Sequence, residues 1–215
     1  RWNDKRLGVI GPDQFIPIAE ESGLIIDIGY FVFRESCLFM KELREKGIFL
    51  EQIAVNVSSQ QFSEAGIVTK FLKIVKEYDL TPDLIEIEIT ERYIMESTTS
   101  DTNIIDDLKA EGFKISIDDF GTGYSSMSYL KSLAIDTIKI DKSFVDDLPH
   151  SSNDVAIAKA IITLSNSLNH HTVGEGIQTQ EQEEFLAQEG CEIGQGYYFS
   201  KPLSKSECIE FIISH

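Results

Sequence analysis

Basic residues are scarce in this 215-residue chain: 19 Lys and Arg stand against 36 Asp and Glu, for a net charge of −17. Recognition of a nucleic-acid backbone rests on clustered Lys and Arg. No basic patch appears, so nucleic acid is excluded as a partner, and a phosphate-ester ligand would need metal ions between it and an acidic site. Cysteine is equally sparse. Cys37, Cys191 and Cys208 are odd in number and lack CxxC spacing, which argues for reduced thiols in a cytoplasmic compartment rather than a disulfide framework; each reads as a small buried hydrophobe. Long apolar runs are missing too. The longest, Leu24 to Phe33, is broken by Asp27 and falls short of a bilayer span, so the segment reads as soluble, with no direct membrane contact. No Pro/Gly/Ser-rich tract serves as a linker, and residues 1–215 read as one domain with one sizeable core. The opening Arg1-Trp2-Asn3 carries neither an initiator Met nor a signal peptide, as expected of a piece of a longer protein.

What is present is a repeated unit of short apolar strand followed by amphipathic helix. The strands are expected at Gln52 to Val57, Leu84 to Thr90, Phe113 to Asp118, Thr137 to Asp141, His171 to Glu175 and Glu192 to Tyr197. Helical patterns run over Asp13 to Ser22, Gly29 to Lys46, Phe62 to Tyr78, Thr98 to Glu111, Asn153 to Leu168, Thr179 to Gly190 and Lys205 to Ile213. Gly47, Gly112 and Gly190 each follow a charged last turn, as helix-ending residues do. Such alternation means a parallel sheet with crossover helices. A doubly wound open sheet would carry a Gly-rich phosphate loop after its first strand, and none is present. The expected fold is therefore a modified (β/α)8, TIM-like barrel. Six strands are visible where a closed barrel has eight, so the first two are expected to precede Arg1.

Polar residues fall at one place in these units. Asn56, Glu88, Asp118 with Asp119, Lys139 with Asp141, Glu175 and Gln195 sit at or near the C-terminal ends of successive strands, the edge on which parallel α/β folds carry their sites. Strand side chains alternate faces, so Asp118 and Asp119 share one site only where the strand ends and the backbone bends; Gly121 and Gly123 are expected to supply that bend. Two adjacent carboxylates repel unless a cation or several donors compensate. The face offers Asp, Glu and Asn, the oxygen ligands of hard cations, and no histidine. His170 and His171 precede their strand rather than end it and read as structural.

In chain order, Asp13-Gln14-Phe15-Ile16-Pro17-Ile18-Ala19-Glu20-Glu21, Val55-Asn56-Val57-Ser58, Glu88-Ile89-Thr90-Glu91, Asp118-Asp119-Phe120-Gly121-Thr122-Gly123, Lys139-Ile140-Asp141, Glu175-Gly176 and Gln195-Gly196-Tyr197 resemble the EAL-domain phosphodiesterases, bacterial enzymes that hydrolyse cyclic di-GMP to linear pGpG. The resemblance runs nearly end to end. It implies a site that needs Mg2+ or Mn2+, with Asn56, Glu88 and Asp118 holding one metal, Asp118 and Asp119 reaching a second, and Glu175 close to the second. It makes Lys139 the cation that orients the attacking water or stabilises phosphate charge, gives Gln195 a hydrogen bond to substrate or to an active-site water, and gives Asp141 a contact to substrate. Arg1 matches an arginine that contacts a substrate phosphate in the family. Glu91 matches a glutamate that secures the loop from Phe120 to Tyr129 and couples dimer contacts to catalysis. A homodimer, and fused sensory or GGDEF-type domains in the parent, are implied in the same way.

The Glu-Ala-Leu signature that names the family would lie four residues before Arg1, and its glutamate is a metal ligand there. Gln178 stands where the family commonly has glutamate, which removes one negative charge near the second metal. Two other readings stand beside the enzyme. One is a receptor that binds cyclic di-GMP without cleaving it, whose hallmark is erosion of the acidic motifs; Glu88, Asp118, Asp119 and Glu175 show none. The other is a glycoside hydrolase, which needs two isolated carboxylates flanking a bond rather than a cluster with Asn and Lys.

Overall fold

A computed structural model describes residues 2–96, 99–123, 130 and 133–214. Its frame is a six-stranded parallel sheet in sequential order: β3 (Ile53–Asn56), β4 (Ile85–Thr90), β5 (Lys114–Phe120), β6 (Thr137–Ile140), β7 (His171–Gly174) and β8 (Ile193–Gly194). An antiparallel hairpin of β1 (Trp2–Asp4) and β2 (Gly8–Ile10) precedes it. The sheet curls, because Ala54 of the first parallel strand and Ile193 of the last line one cavity of about 700 Å3. These are strands in barrel order and helices on the outside, as the alternation demanded.

The helices are α1 (Pro12–Ser22), α2 (Ile25–Glu45), α3 (Ser59–Phe62), α4 (Ile67–Glu77), α5 (Glu91–Glu96), α6 (Thr99–Ala110), α7 (Ser152–Ser167), α8 (Gln180–Gln188) and α9 (Lys205–Ser214). The isoleucine alternation of the strands decides which face they cover. Ile85, Ile87, Ile89, Ile115, Ile117, Ile138 and Ile140 are wholly buried in one apolar core with Phe33, Phe71, Ile105 and Ile162 of the helices. Phe33 and Phe71 stack there with ring centroids 4.1 Å apart. The intervening residues, Glu86, Glu88, Thr137 and Lys139, line the cavity instead. Period-two alternation thus sends apolar side chains to the helices and polar ones to the barrel interior. Lys205 of α9 reaches Glu42 of α2 at 2.7 Å, joining the last helix to the helix before β3.

Several expectations need correction. The helix expected over Phe62 to Tyr78 begins only at Ile67, because Gly66 at φ 77° precedes α4, and Phe62 ends the separate short helix α3. The β1–β2 hairpin and α5 were not anticipated, being too short to show a period. The thiols also differ among themselves: Cys37 is fully buried, whereas Cys191 and Cys208 are only half-buried. Gly47, Gly112 and Gly190 do take positive φ just past their helices.

Candidate active site

The Asp118-Asp119 pair is brought into one site by a defect in the β5–β6 ladder. Ile117 pairs with Ile138, yet Phe120 pairs with Ile140, so β5 spends one residue more than β6 over this interval. Asp119 absorbs the extra residue in the left-handed conformation, φ 55°, which an aspartate tolerates better than most residues. The bend expected from Gly121 and Gly123 is therefore made first at Asp119. Gly121 follows with φ 100°, and Gly123 is not among the residues with positive φ. As a result the ligand oxygens of Asp118, Asp119 and Glu175 gather within 4.8 Å of one another.

Lys139 sits at the centre of these acids. It is 4% exposed, and its Nζ lies 2.6 Å from Glu175 Oε1, 2.7 Å from Glu88 Oε1 and 3.0 Å from Asp118 Oδ1. Burial alone would push its ammonium down, but Glu88, Asp118 and Glu175 outweigh that and hold it above its ordinary value. The carboxylates shift as well. Burial pushes Glu88 up, against the pull of Lys139. Burial, aided by Asp118 and Glu88 and opposed by Lys139, pushes Glu175 up to about 7. Partial desolvation, followed by the charges of Asp118 and Asp141, raises Asp119. One ammonium thus leaves the acidic cluster short of positive charge.

Asn56 donates its amide N–H to Glu88 Oε2 at 2.6 Å, which leaves the Asn56 carbonyl oxygen as its available ligand atom. Gln195, exposed beyond β8, lines the same cavity as Glu88 and Lys139 and is fixed by its main chain: its N–H donates to Gly174 O and its carbonyl accepts from Ile177 N. Asp141 does not pair with Lys139. Its Oδ1 accepts from Ser143 N at 3.0 Å and caps a short 3-10 turn, Lys142–Phe144, while its charge acts on Asp119.

Glu91 stands apart from the cluster and is 1% exposed, not a solvated surface group. Its Oε2 accepts from Gly121 N at 2.8 Å and from Gly123 N at 3.4 Å, so the first residue of α5 holds the segment after the Asp pair. A side chain at Gly121 would meet Phe144 at 2.8 Å, and one at Gly123 would meet Glu91 at 2.9 Å; both glycines let the backbone approach its anchors. Arg1, and the loop beyond Gly123 as far as Tyr129, lie outside the described residues. His170 and His171 stand away from the acids: burial lowers His170, and His171 pairs with Glu192. Gln178 is exposed, and its backbone N–H donates to Gln182 at 2.7 Å. One interior residue was missed. Glu86 is buried on the face of Glu88 and accepts from Gln52 through Oε2, and the Glu86/Glu88/Thr90 alternation already placed it there.

The donor set fits a hard divalent cation. Three carboxylates converge, and Asp118 Oδ1 is buried without a hydrogen-bond partner, its contact with Lys139 being one of charge alone. Fold and site together define a TIM-like barrel protein with an acidic cluster of hard-cation donor chemistry at the C-terminal edge of its strands. Its relatives are consistent with that class. The chain belongs to the EAL domain family, which it matches over residues 1–202. It is 40% identical over 209 residues to the bifunctional diguanylate cyclase/cyclic di-GMP phosphodiesterase MucR of Pseudomonas aeruginosa, covering 97% of this chain and 30% of that protein. The chain thus spans under a third of that relative's length. A solved MucR phosphodiesterase complex with c-di-GMP superposes with a TM-score of 0.93 at 40% identity, over 97% of this chain and 84% of that one. A manganese and cyclic di-GMP complex of Klebsiella pneumoniae BlrP1 superposes with a TM-score of 0.79 at 26% identity, over 92% and 50% of the two chains.

Proposed function

We propose that this domain hydrolyses cyclic di-GMP to linear pGpG with Mg2+ or Mn2+, as the cytoplasmic output domain of a larger, homodimeric signalling protein with fused sensory or GGDEF-type domains. The observation that carries the reading is the convergence of Asp118, Asp119 and Glu175 around Lys139, beside the Asn56–Glu88 pair. The relatives named for this activity support the choice of substrate.

On this reading Asn56, Glu88 and Asp118 hold one cation, and Asp118, Asp119 and Glu175 the other. Bound there, the metals supply a water activated near neutral pH and neutralise the charge that develops on the phosphoryl oxygens. The rest of the work belongs to the chain. Lys139, kept charged by three carboxylates, orients the nucleophilic water and offers a fixed positive charge to the phosphate. Asn56 fixes the rotamer of Glu88 through its amide N–H. Glu91 holds Gly121, and with it the position of the Asp pair. Gln195 and Asp141 at the mouth, with Arg1, contact the substrate. Water adds to one phosphorus, and the ribose oxygen that leaves takes up a proton.

The test is direct. The full-length protein incubated with cyclic di-GMP and Mg2+ or Mn2+ yields pGpG, resolved by chromatography. Tight binding with no pGpG would replace the enzyme with the receptor.

A further inference from the structure

The bulge that seats Asp118 and Asp119 depends on a register that something must hold, and Asp136, just ahead of β6, is placed to hold it. Its backbone N–H donates to Ile115 O at 2.9 Å, and its Oδ2 accepts the N–H of the same Ile115 at 2.8 Å. One residue of β6's approach thus satisfies both main-chain groups of one residue of β5. Lys109 of α6 grips the carboxylate from outside, 2.7 Å from Oδ1 and 2.8 Å from Oδ2, and Lys114 stands 3.8 Å away. On its other side, Asp136 O accepts from His171 N at 2.8 Å at the start of β7.

The alternative register shows what this controls. β5 runs in unbroken register with β4, from Glu86–Lys114 to Thr90–Asp118, so the discontinuity falls wholly on the β6 side. If the Phe120–Ile140 pairing were extended downward without the bulge, Ile117 would stand opposite Thr137 and Lys139 opposite Asp119. A one-residue slip turns every side chain of a strand to the other face. Lys139 would then join the helix-facing side, and Ile138 and Ile140 would enter the barrel. The Ile115–Asp136 clasp is incompatible with that ladder, because it sets residue 115 beside 136 rather than 135.

We infer that Asp136 is a positioning residue for the carboxylate–lysine centre: by clasping Ile115 it pins the β5–β6 register that keeps Lys139 and Asp118 on one face. The consequence for metal binding rests on the proposed function, whereas the register itself does not. The test compares Asp136→Ala and Asp136→Asn with wild type, the asparagine retaining an acceptor for Ile115 N–H. Ile162→Val, a cavity variant in the apolar core, serves as the control for general destabilisation. In metal-free protein, hydrogen exchange of peptides covering residues 114–123 is expected to rise at least tenfold in Asp136→Ala, to stay near wild type in Asp136→Asn, and to stay unchanged in Ile162→Val. Mn2+ affinity by calorimetry is expected to fall at least tenfold in Asp136→Ala and to be largely rescued in Asp136→Asn. Unchanged exchange in a folded Asp136→Ala protein, or an equal rise in the control, overturns the pin. Absence of Mn2+ binding by wild type would overturn the proposed metal site and leave the exchange result to decide the pin.

Discussion

The Lys139 ammonium and the Glu175 carboxylate lie 2.6 Å apart at the ends of neighbouring strands, and the same ammonium touches Glu88 and Asp118. A single buried cation therefore serves three acids. Removing one partner of a buried ion pair leaves an uncompensated charge, and the consequences are specific enough to measure.

Lys139→Met is expected to destabilise the metal-free domain by about 3 kcal/mol, the usual cost of breaking a buried pair. Added Mg2+ should recover much of that loss, since a divalent ion supplies the missing charge. Thermal melts with and without Mg2+ check this, and an equal Mg2+ response in wild type and variant would show that the two cations are not interchangeable. Turnover should fall at least ~100-fold, as for loss of one charged donor to a developing oxyanion.

Asp118→Ala is expected to remove turnover, at least ~1,000-fold on the cyclic di-GMP assay, with melting within a few degrees of wild type. Its Oδ1 accepts no hydrogen bond, and the Lys139 ammonium 3.0 Å away keeps Glu88 and Glu175 as partners when Asp118 is removed, so the fold loses little. Retained activity would exclude Asp118 from the metal site.

The pH dependence follows from Glu175, which is pushed from the ordinary value of 4.5 up to about 7, chiefly by burial. A carboxyl that holds its proton more tightly when folded favours the folded state below its unfolded pKa, and that contribution is lost as pH rises through the folded one. Metal-free wild type should therefore lose stability between pH 4.5 and about 7 relative to Glu175→Gln, which mimics the protonated form. At pH 8 the glutamine variant should melt higher by a few degrees, about 1 kcal/mol. Saturating Mg2+ should reverse the order, because the metal favours the ionised acid. Parallel melting curves across this range would show that Glu175 titrates normally.

Glu91→Ala deprives the Gly121 and Gly123 amides of their acceptor. A drop of about 10- to 100-fold in kcat is expected, the range for a displaced catalytic geometry, together with faster hydrogen exchange at residues 119–123. Glu91→Gln, which keeps an acceptor oxygen, should recover most of both. An unchanged kcat would show that this anchor does not reach the chemistry.

The strands were legible because β-sheet burial writes a period of two into the sequence: Ile85, Ile87 and Ile89 face helices while Glu86 and Glu88 face the cavity. The members of the acidic cluster were legible because charged and polar side chains recur at successive strand ends, which in a curled parallel sheet stand close together. The break at Gly66 and the six residues of α5 were not, since short elements show no period and take their form from their neighbours.

The sequence by itself determined the order of strands, the apolar and polar faces, and which oxygen-bearing side chains stand at the strand ends, because these depend on local alternation and side-chain chemistry. Tertiary structure alone decided how two consecutive aspartates face one site. That outcome needs an extra residue between Ile117 and Phe120 measured against β6, a left-handed Asp119, and a Glu91 carboxylate thirty residues earlier in the chain than Gly121. Register is a relation between strands, and no one strand's sequence contains it.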